Sequence, residues 1–326
     1  MLAVLTGANG FVGSHLVDYL LKEGYRVRCI VRGSSSLKWL EGKNVELFKC
    51  GLDKVEPLKE AFKDADFIYH IAGVVNAPDE AGFMYGNVTM TQNVLEAALA
   101  ASHLQRLLVV SSLAASGPAE RPGKPVTEDM PCRPVSLYGK SKVAQEQACE
   151  AYHDRLPITI IRPPAIYGPR DTEVLLFFKT VKTGVLPLLG FQDKTLSFVH
   201  VADLVRGMEK ATRSERSKGQ AYFLGSVKEY SWQEIGSLIG NEMGRVPFMF
   251  RLPHFLVFTA ASFGEVYSRL TRKLVDLNID RARQITSPSW FCSSEKAMRD
   301  FGYEEQVKIT DGIKETLDWY RKEKWL

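Results

Sequence analysis

The chain has 326 residues, 45% of them hydrophobic, 25% charged and 10% aromatic, with 42 Lys and Arg against 38 Asp and Glu. That make-up excludes a disordered or fibrous chain, and a net charge of +4 is too small to indicate nucleic acid or an anionic surface as a partner. The five cysteines (29, 50, 132, 149 and 292) are scattered, odd in number and without a C-x-x-C pair, which argues against a disulfide framework or a metal site and for a reducing, cytoplasmic setting.

The first half alternates short β-rich runs with helical spacing. Leu2–Thr6 reads as a buried strand that follows Met1 directly, leaving no room for a signal peptide. Residues 11–23 carry Val12, Leu16, Tyr19 and Leu20 at helical intervals. Strands follow at Arg26–Val31, 45–49 and 67–71, then a helix over 87–102, a strand at 106–111, a helix over 135–153 and a strand at Ile158–Arg162. Strand and helix in alternation, with continuous Val, Ile and Leu runs, predict an α/β fold built on a doubly wound parallel sheet, a Rossmann fold. Beyond residue 165 Pro and Gly punctuate more often. Residues 1–165 are therefore expected to form the dinucleotide-binding domain, joined by segments near 197–207 and 220–225. Residues 166–326 are expected to form mainly a smaller α/β substrate lobe, closed by a helix over 309–324. No run of about 18 apolar residues suits a membrane span.

Between the first strand and helix stands Thr6-Gly7-Ala8-Asn9-Gly10-Phe11-Val12-Gly13, a G-x-x-G-x-x-G loop. Glycines there let the backbone turn tightly and approach a pyrophosphate, which the helix N-terminus attracts. Gly7, Asn9, Gly10, Phe11, Val12 and Gly13 are the candidate contacts. At the end of the second strand, where an acidic residue would hold the ribose of NAD, the chain has Arg32. An arginine accommodates the 2′-phosphate of NADP, so NADP is expected in preference to NAD.

Tyr138 and Lys142 lie four residues apart and share one helix face. An adjacent ammonium favours the phenolate, so the tyrosine pKa is expected below its usual 10, fit for proton exchange with an alcohol or ketone. The fifth strand ends in Val110-Ser111-Ser112, at the sheet edge where such folds place ligands. The Ser112 hydroxyl there could orient the substrate oxygen beside Tyr138.

The chain resembles the short-chain dehydrogenase/reductase family in its extended branch, that of the NAD-dependent epimerases and dehydratases. TGANGFVG (6–13), HIAG (70–73), VVSSLAASG (109–117), YGKSK (138–142), RPPAIYGP (162–169) and SFVHVADL (197–204) carry the likeness. Within that branch it looks most similar to the 3β-hydroxysteroid dehydrogenase and dihydroflavonol reductase group. The resemblance implies Tyr138 as acid and base, Lys142 as its electrostatic partner and Ser112 as donor to the substrate oxygen. It further implies that Ala72, Gly73, Pro163, Ala165 and Ile166 border the nicotinamide, with Val110 and Ser111 beside them. Asn87 would support the neighbouring loop or serve as a local cap. The family's adenine-contacting Asp is either shifted here, to Asp53 in Cys50-Gly51-Leu52-Asp53, or replaced. Similar proteins dimerise through the helices that correspond to 87–102 and 135–153, so a homodimer is expected.

Nucleotide-sugar epimerases with bound NAD are the competing members. They place an Asn where this chain has Ala165 and an Arg where it has Leu196; the dehydratases place an acidic pair where it has Leu113-Ala114. Without those partners a diphosphate is poorly held. A cofactor-sensing regulator on the same fold would tend to lose the Tyr138 and Lys142 pair. The expected activity is therefore an oxidoreductase acting on CH–OH groups of an apolar, sterol-like, flavonoid-like or β-keto substrate. The apolar run over 246–264 could form its pocket through Phe248, Phe250, Leu252, Phe255 and Phe258. Alternatively it is core of the small lobe, or a surface that touches a membrane with Arg269, Arg272 and Lys273 on its flank.

Overall fold

The computed structural model describes residues 1–271, 275 and 277–326, the side chains of 269 and 270 excepted. The main sheet holds β1 (Leu2–Thr6), β2 (Arg26–Val31), β3 (Glu46–Lys49), β4 (Phe67–His70), β5 (Arg106–Val110), β6 (Ile158–Arg162) and β7 (Gln220–Phe223). All its pairings are parallel, in the order β7-β6-β5-β4-β1-β2-β3.

Every residue of β1, β4, β5 and β6 is buried, which explains their uninterrupted apolar runs. Side chains alternate between two cores. Ala3 and Leu5 pack with Leu16, Val17 and Leu20 of α1 (Phe11–Lys22) and with Leu204 and Met208 of a later helix, Val201–Arg213. Leu2 and Val4 face Leu58 and Phe62 of α2 (Val55–Phe62) and Val94 and Leu95 of α3 (Met90–Ala98). The strand order reverses at β1, between β2 and β4, so a crevice opens beyond the carboxyl ends of β1 and β4.

Two regions depart from the periodicity. The segment expected as one helix over 87–102 begins instead with a π-helical turn, Tyr85–Thr89, that runs into α3. The Asn87 side chain is fully buried in that turn and bonds both backbone groups of Val74. The wider turn accommodates that inward commitment, as π-bulges commonly do near functional sites. The apolar run over 246–264 divides at Pro253 into a strand, Phe248–Leu252, and a helix, His254–Thr271. Proline directly before a helix costs no internal hydrogen bond, so it starts the helix here. The strand pairs in parallel with Val185–Leu189. Phe248 and Phe255 are 70% and 65% exposed, whereas Phe258 joins a small cluster around Val257, Ala261 and Ala282. The run is thus neither continuous core nor a closed pocket. Its expected basic flank lies outside the described residues, as Arg272, Lys273 and the side chain of Arg269 do. Among the described residues no helix is long and apolar enough to cross a membrane.

The C-terminal lobe has its own core, in which Tyr167 stacks on Phe198 with ring centroids 4.2 Å apart and Phe178 meets Tyr320 edge-on. Arg170 joins this lobe to α1: its guanidinium donates to Ser14 and to the Asp18 carboxylate. It does so from a left-handed backbone with φ of 73°.

Helix α4 (Leu137–Glu150) is fastened to the sheet by a buried ion pair. Arg162 on β6 donates from Nε and Nη2 to Glu146, and the Ser111 hydroxyl donates to the same carboxylate at 2.5 Å. Removing one partner of a buried pair leaves an uncompensated charge. Glu146→Leu should cost about 3–5 kcal/mol in urea unfolding. Adding Arg162→Met should recover much of that loss; equal stability of wild type and Glu146→Leu would show the pair to be inert.

Candidate active site

The glycine loop is shaped by close backbone approaches. Gly7 has φ of 73°, and a Cβ there would lie 2.7 Å from the Ala72 nitrogen. A Cβ on Gly13 would overlap the Gly7 carbonyl oxygen, so only glycine lets α1 start this close to the loop. No side chain caps the N-terminus of α1, and its first turn holds no acid. Its N–H groups and dipole are left for an anion. Asn9, Phe11 and Val12 are partly exposed along this rim.

Tyr138 and Lys142 stand near the start of α4, which Ser136 caps through the Gly139 N–H at 3.0 Å. Ser112 follows β5 and its hydroxyl accepts from the Ala114 N–H at 3.1 Å. The Ser112 side chain lies close enough to the Tyr138 phenol to act on its pKa. The three expected catalytic residues therefore meet at one sheet edge.

The electrostatics differ from expectation. Burial raises the Tyr138 pKa above 10, against a lowering contribution from Ser112. Lys142 does not produce the expected lowering, because its ammonium turns toward other oxygens. Nζ donates to the Val110 carbonyl at 3.0 Å and to Gln145 Oε1 at 2.9 Å, and lies 5.9 Å from the Tyr138 ring centroid. Burial brings Lys142 itself down to about 8, with Glu146 opposing.

The loop after β4 faces this lysine. A Cβ on Gly73 would lie 3.3 Å from Lys142 Nζ and 3.1 Å from Asn87 Oδ1. Asn87 accepts from the Val74 N–H at 2.7 Å and donates to its carbonyl at 2.9 Å, while the Ala72 N–H donates to Thr6 Oγ1 at 3.3 Å. Asn87 is thus a support of the loop. Pro163, Ala165 and Ile166 follow β6 at the same sheet edge, and the Pro163 carbonyl accepts from the Leu113 N–H. Two expected dinucleotide contacts are otherwise engaged. The Ser111 hydroxyl serves Glu146, and the Val110 carbonyl serves Lys142; buried charges claim both groups.

Arg32 is exposed directly beyond β2, and its side chain has no hydrogen-bonding or ionic partner among the described residues. Asp53 is exposed beyond β3 and folds back over Gly51, where a Cβ would meet its carboxylate. With the uncapped α1, the two close-packed glycines and a free cation beyond β2, the site fits a dinucleotide.

Sequence reasoning missed the groups that approach from the C-terminal lobe. The Asp280 carboxylate accepts from the Leu137 N–H at 2.6 Å, and Arg281, paired with Glu173 at 2.9 Å, acts on the Tyr138 phenol. No spacing links residues 173 and 280 to α4, so no local signal could have found them. Gln145 was also missed; its signal was a polar residue one turn past Lys142, on the face turned to the sheet.

Residues 3–225 match the model of the NAD dependent epimerase/dehydratase family. The ceramide reductase of Caulobacter vibrioides is 32% identical over 330 residues, covering 99% of this chain and 95% of that protein. The UDP-glucose 4-epimerase of Mycolicibacterium smegmatis is 28% identical over 350 residues, covering 98% and 99%. The crystal structure of gox2253 superposes with a TM-score of 0.83 at 26% identity, over 99% of this chain and 98% of that one.

His70, behind the loop at Ala72, is fully buried and held neutral, its pKa lowered by burial to about 3. His15 and His200 are lowered to about 4, again chiefly by burial. The unfolded chain protonates these rings near 6.5 and the folded chain does not. Their stabilisation is whole above pH 6.5 and is lost as pH falls toward 4. His70→Leu should lose less stability over that window in denaturant titrations than wild type; the same pH slope in both would contradict a neutral His70.

Proposed function

The chain belongs to the NAD-dependent epimerase/dehydratase family, and we propose that within it the protein is an NADP(H)-dependent oxidoreductase acting on a carbonyl or hydroxyl carbon of an apolar substrate. The observation that carries the reading is the meeting of Ser112, Tyr138 and Lys142 at the sheet edge beside Gly73. Retention of this set favours catalysis over a sensing role.

Gly7, Gly10 and Gly13 with the start of α1 would hold the pyrophosphate, Arg32 a 2′-phosphate, and Ala72, Gly73, Pro163, Ala165 and Ile166 would border the nicotinamide. When bound, the nicotinamide supplies a hydride to a carbonyl carbon or takes one from a carbinol carbon. The Ser112 hydroxyl orients the substrate oxygen. Tyr138, kept protonated near neutral pH by burial, delivers its phenolic proton to that oxygen in reduction and removes it in oxidation. The Lys142 ammonium has one N–H beyond those given to Val110 and Gln145, which would serve the nicotinamide ribose beside Gly73.

An apolar substrate is supported by the groups that are missing. Leu196 stands where a nucleotide-sugar epimerase carries arginine, and it is 2% exposed and packed in the core of the C-terminal lobe. The ceramide reductase that this chain resembles is named for a lipid. The second reading, a nucleotide-sugar epimerase with bound NAD, draws on the likeness to UDP-glucose 4-epimerase. Calorimetric titration with UDP-glucose separates them: heat of binding supports the epimerase, and none supports the oxidoreductase.

With NADPH and a panel of sterol, flavonoid and β-keto carbonyl compounds, wild type should consume cofactor. Tyr138→Phe should lose about 100-fold or more of that rate while binding NADPH unchanged. Undiminished turnover would remove Tyr138 from the chemistry. Separately, Arg32→Asp should weaken NADPH binding by about 10-fold to 100-fold in fluorescence titrations and leave NADH little affected, the loss of one charge-assisted contact. Equal affinity of wild type for the two cofactors would refute the role given to Arg32.

A further inference from the structure

We propose that Gln145 is a positioning residue for Lys142, holding the ammonium beside the loop at Gly73 with one N–H left free, and that Thr91, His70 and Thr6 lock the Gln145 amide in the orientation this requires. The proposal rests on the roles given above to Tyr138 and Lys142, and extends them to residues that touch neither substrate nor dinucleotide.

Lys142 is 4% exposed and has no carboxylate of its own. Glu146, one turn away, already accepts from Arg162 and Ser111. The ammonium is held by two neutral oxygens, the Val110 carbonyl and Gln145 Oε1. The first belongs to the backbone and is fixed by β5. The second belongs to a side-chain amide, which could equally present its NH2 and repel the ammonium.

The surrounding donors and acceptors allow one arrangement. Thr91 Oγ1 spends its proton on the Asn87 carbonyl at 2.7 Å. Its oxygen can then only accept, and it does so from Gln145 Nε2 at 2.8 Å and from His70 Nε2 at 2.8 Å. A flipped Gln145 would face that oxygen with another acceptor. Since His70 is neutral and donates from Nε2, its Nδ1 accepts from Thr6 Oγ1 at 2.7 Å, and Thr6 in turn accepts from the Ala72 N–H. Each polar atom in the chain from Thr6 to Lys142 has a partner of the required kind, and all five side chains are buried. The network ties the end of β1, the end of β4, α3 and α4 to one ammonium. The titratable groups acting around that ammonium are Glu146 and Cys149 on α4 and His70 on β4, with the Tyr138 ring beyond.

The test reads Lys142 in the full-length protein without dinucleotide. Lysine is labelled with 13C, the Lys142 signal is assigned with Lys142→Met, and its titration is followed by NMR. Gln145→Glu should raise the midpoint by about one pH unit or more, and Gln145→Met should lower it by about half a unit or more. Thr91→Val, which leaves Gln145 in place but unlocks its amide, should shift it in the same direction as Gln145→Met. A merely structural Gln145 would change thermal stability and leave the Lys142 midpoint where it was. That result in folded Gln145→Glu and Gln145→Met overturns the proposal. If neither Gln145 variant folds, a wild-type midpoint in Thr91→Val overturns it. Because no turnover enters this measurement, its failure is distinct from failure of the oxidoreductase reading, which Tyr138→Phe decides.

Discussion

A lysine ammonium taken out of water costs several kcal/mol unless oxygen atoms replace its hydration. That requirement at Lys142 organises the centre of this molecule. The carbonyl that ends β5 supplies one oxygen and the Gln145 amide another. The neighbouring carboxylate, which would neutralise the charge outright, is drawn off to Arg162. The result is a cation kept available and set beside a tyrosine and the closely approaching loop at Gly73. Burial brings the lysine down to about 8, so its charge responds to its few neighbours.

The parallel sheet makes this placement possible. Seven parallel strands end at one edge of the sheet, so residues distant in sequence meet there without long loops. Thr6, His70, Val110 and Arg162 all lie at such strand ends, and the helices crossing the sheet bring Thr91, Tyr138 and Lys142 against them. Stability and chemistry share this edge. The ion pair that holds α4 to β6 also occupies Glu146, one turn from Lys142.

Much of this was legible in the sequence because it depends on local rules. Continuous apolar runs marked the strands buried on both faces, and glycines at positions 7, 10 and 13 marked the turn into α1. The Tyr138 and Lys142 spacing marked a shared helix face. What was illegible depended on partners remote in sequence. Ser111 and Val110 read as dinucleotide contacts, and nothing local showed that their hydroxyl and carbonyl also serve buried charges. A lowered tyrosine pKa followed from the spacing of Tyr138 and Lys142, but not from the direction in which the ammonium turns. The run over 246–264 read as one apolar stretch, although Pro253 divides it and begins a helix. The π-helical turn at Tyr85–Thr89 has no periodic signature, because a single wide turn is set by what Asn87 reaches.

Arg170 carries a mechanical consequence. A left-handed backbone costs a non-glycine residue about 1–3 kcal/mol, and glycine would relieve it. Glycine would also discard the guanidinium that grips Ser14 and Asp18 on α1. The segment that enters the C-terminal lobe is therefore bolted to the helix that opens the glycine loop. Any widening of the crevice to admit a bulky molecule has to flex elsewhere, since swinging at this joint would drag the anion cradle with it.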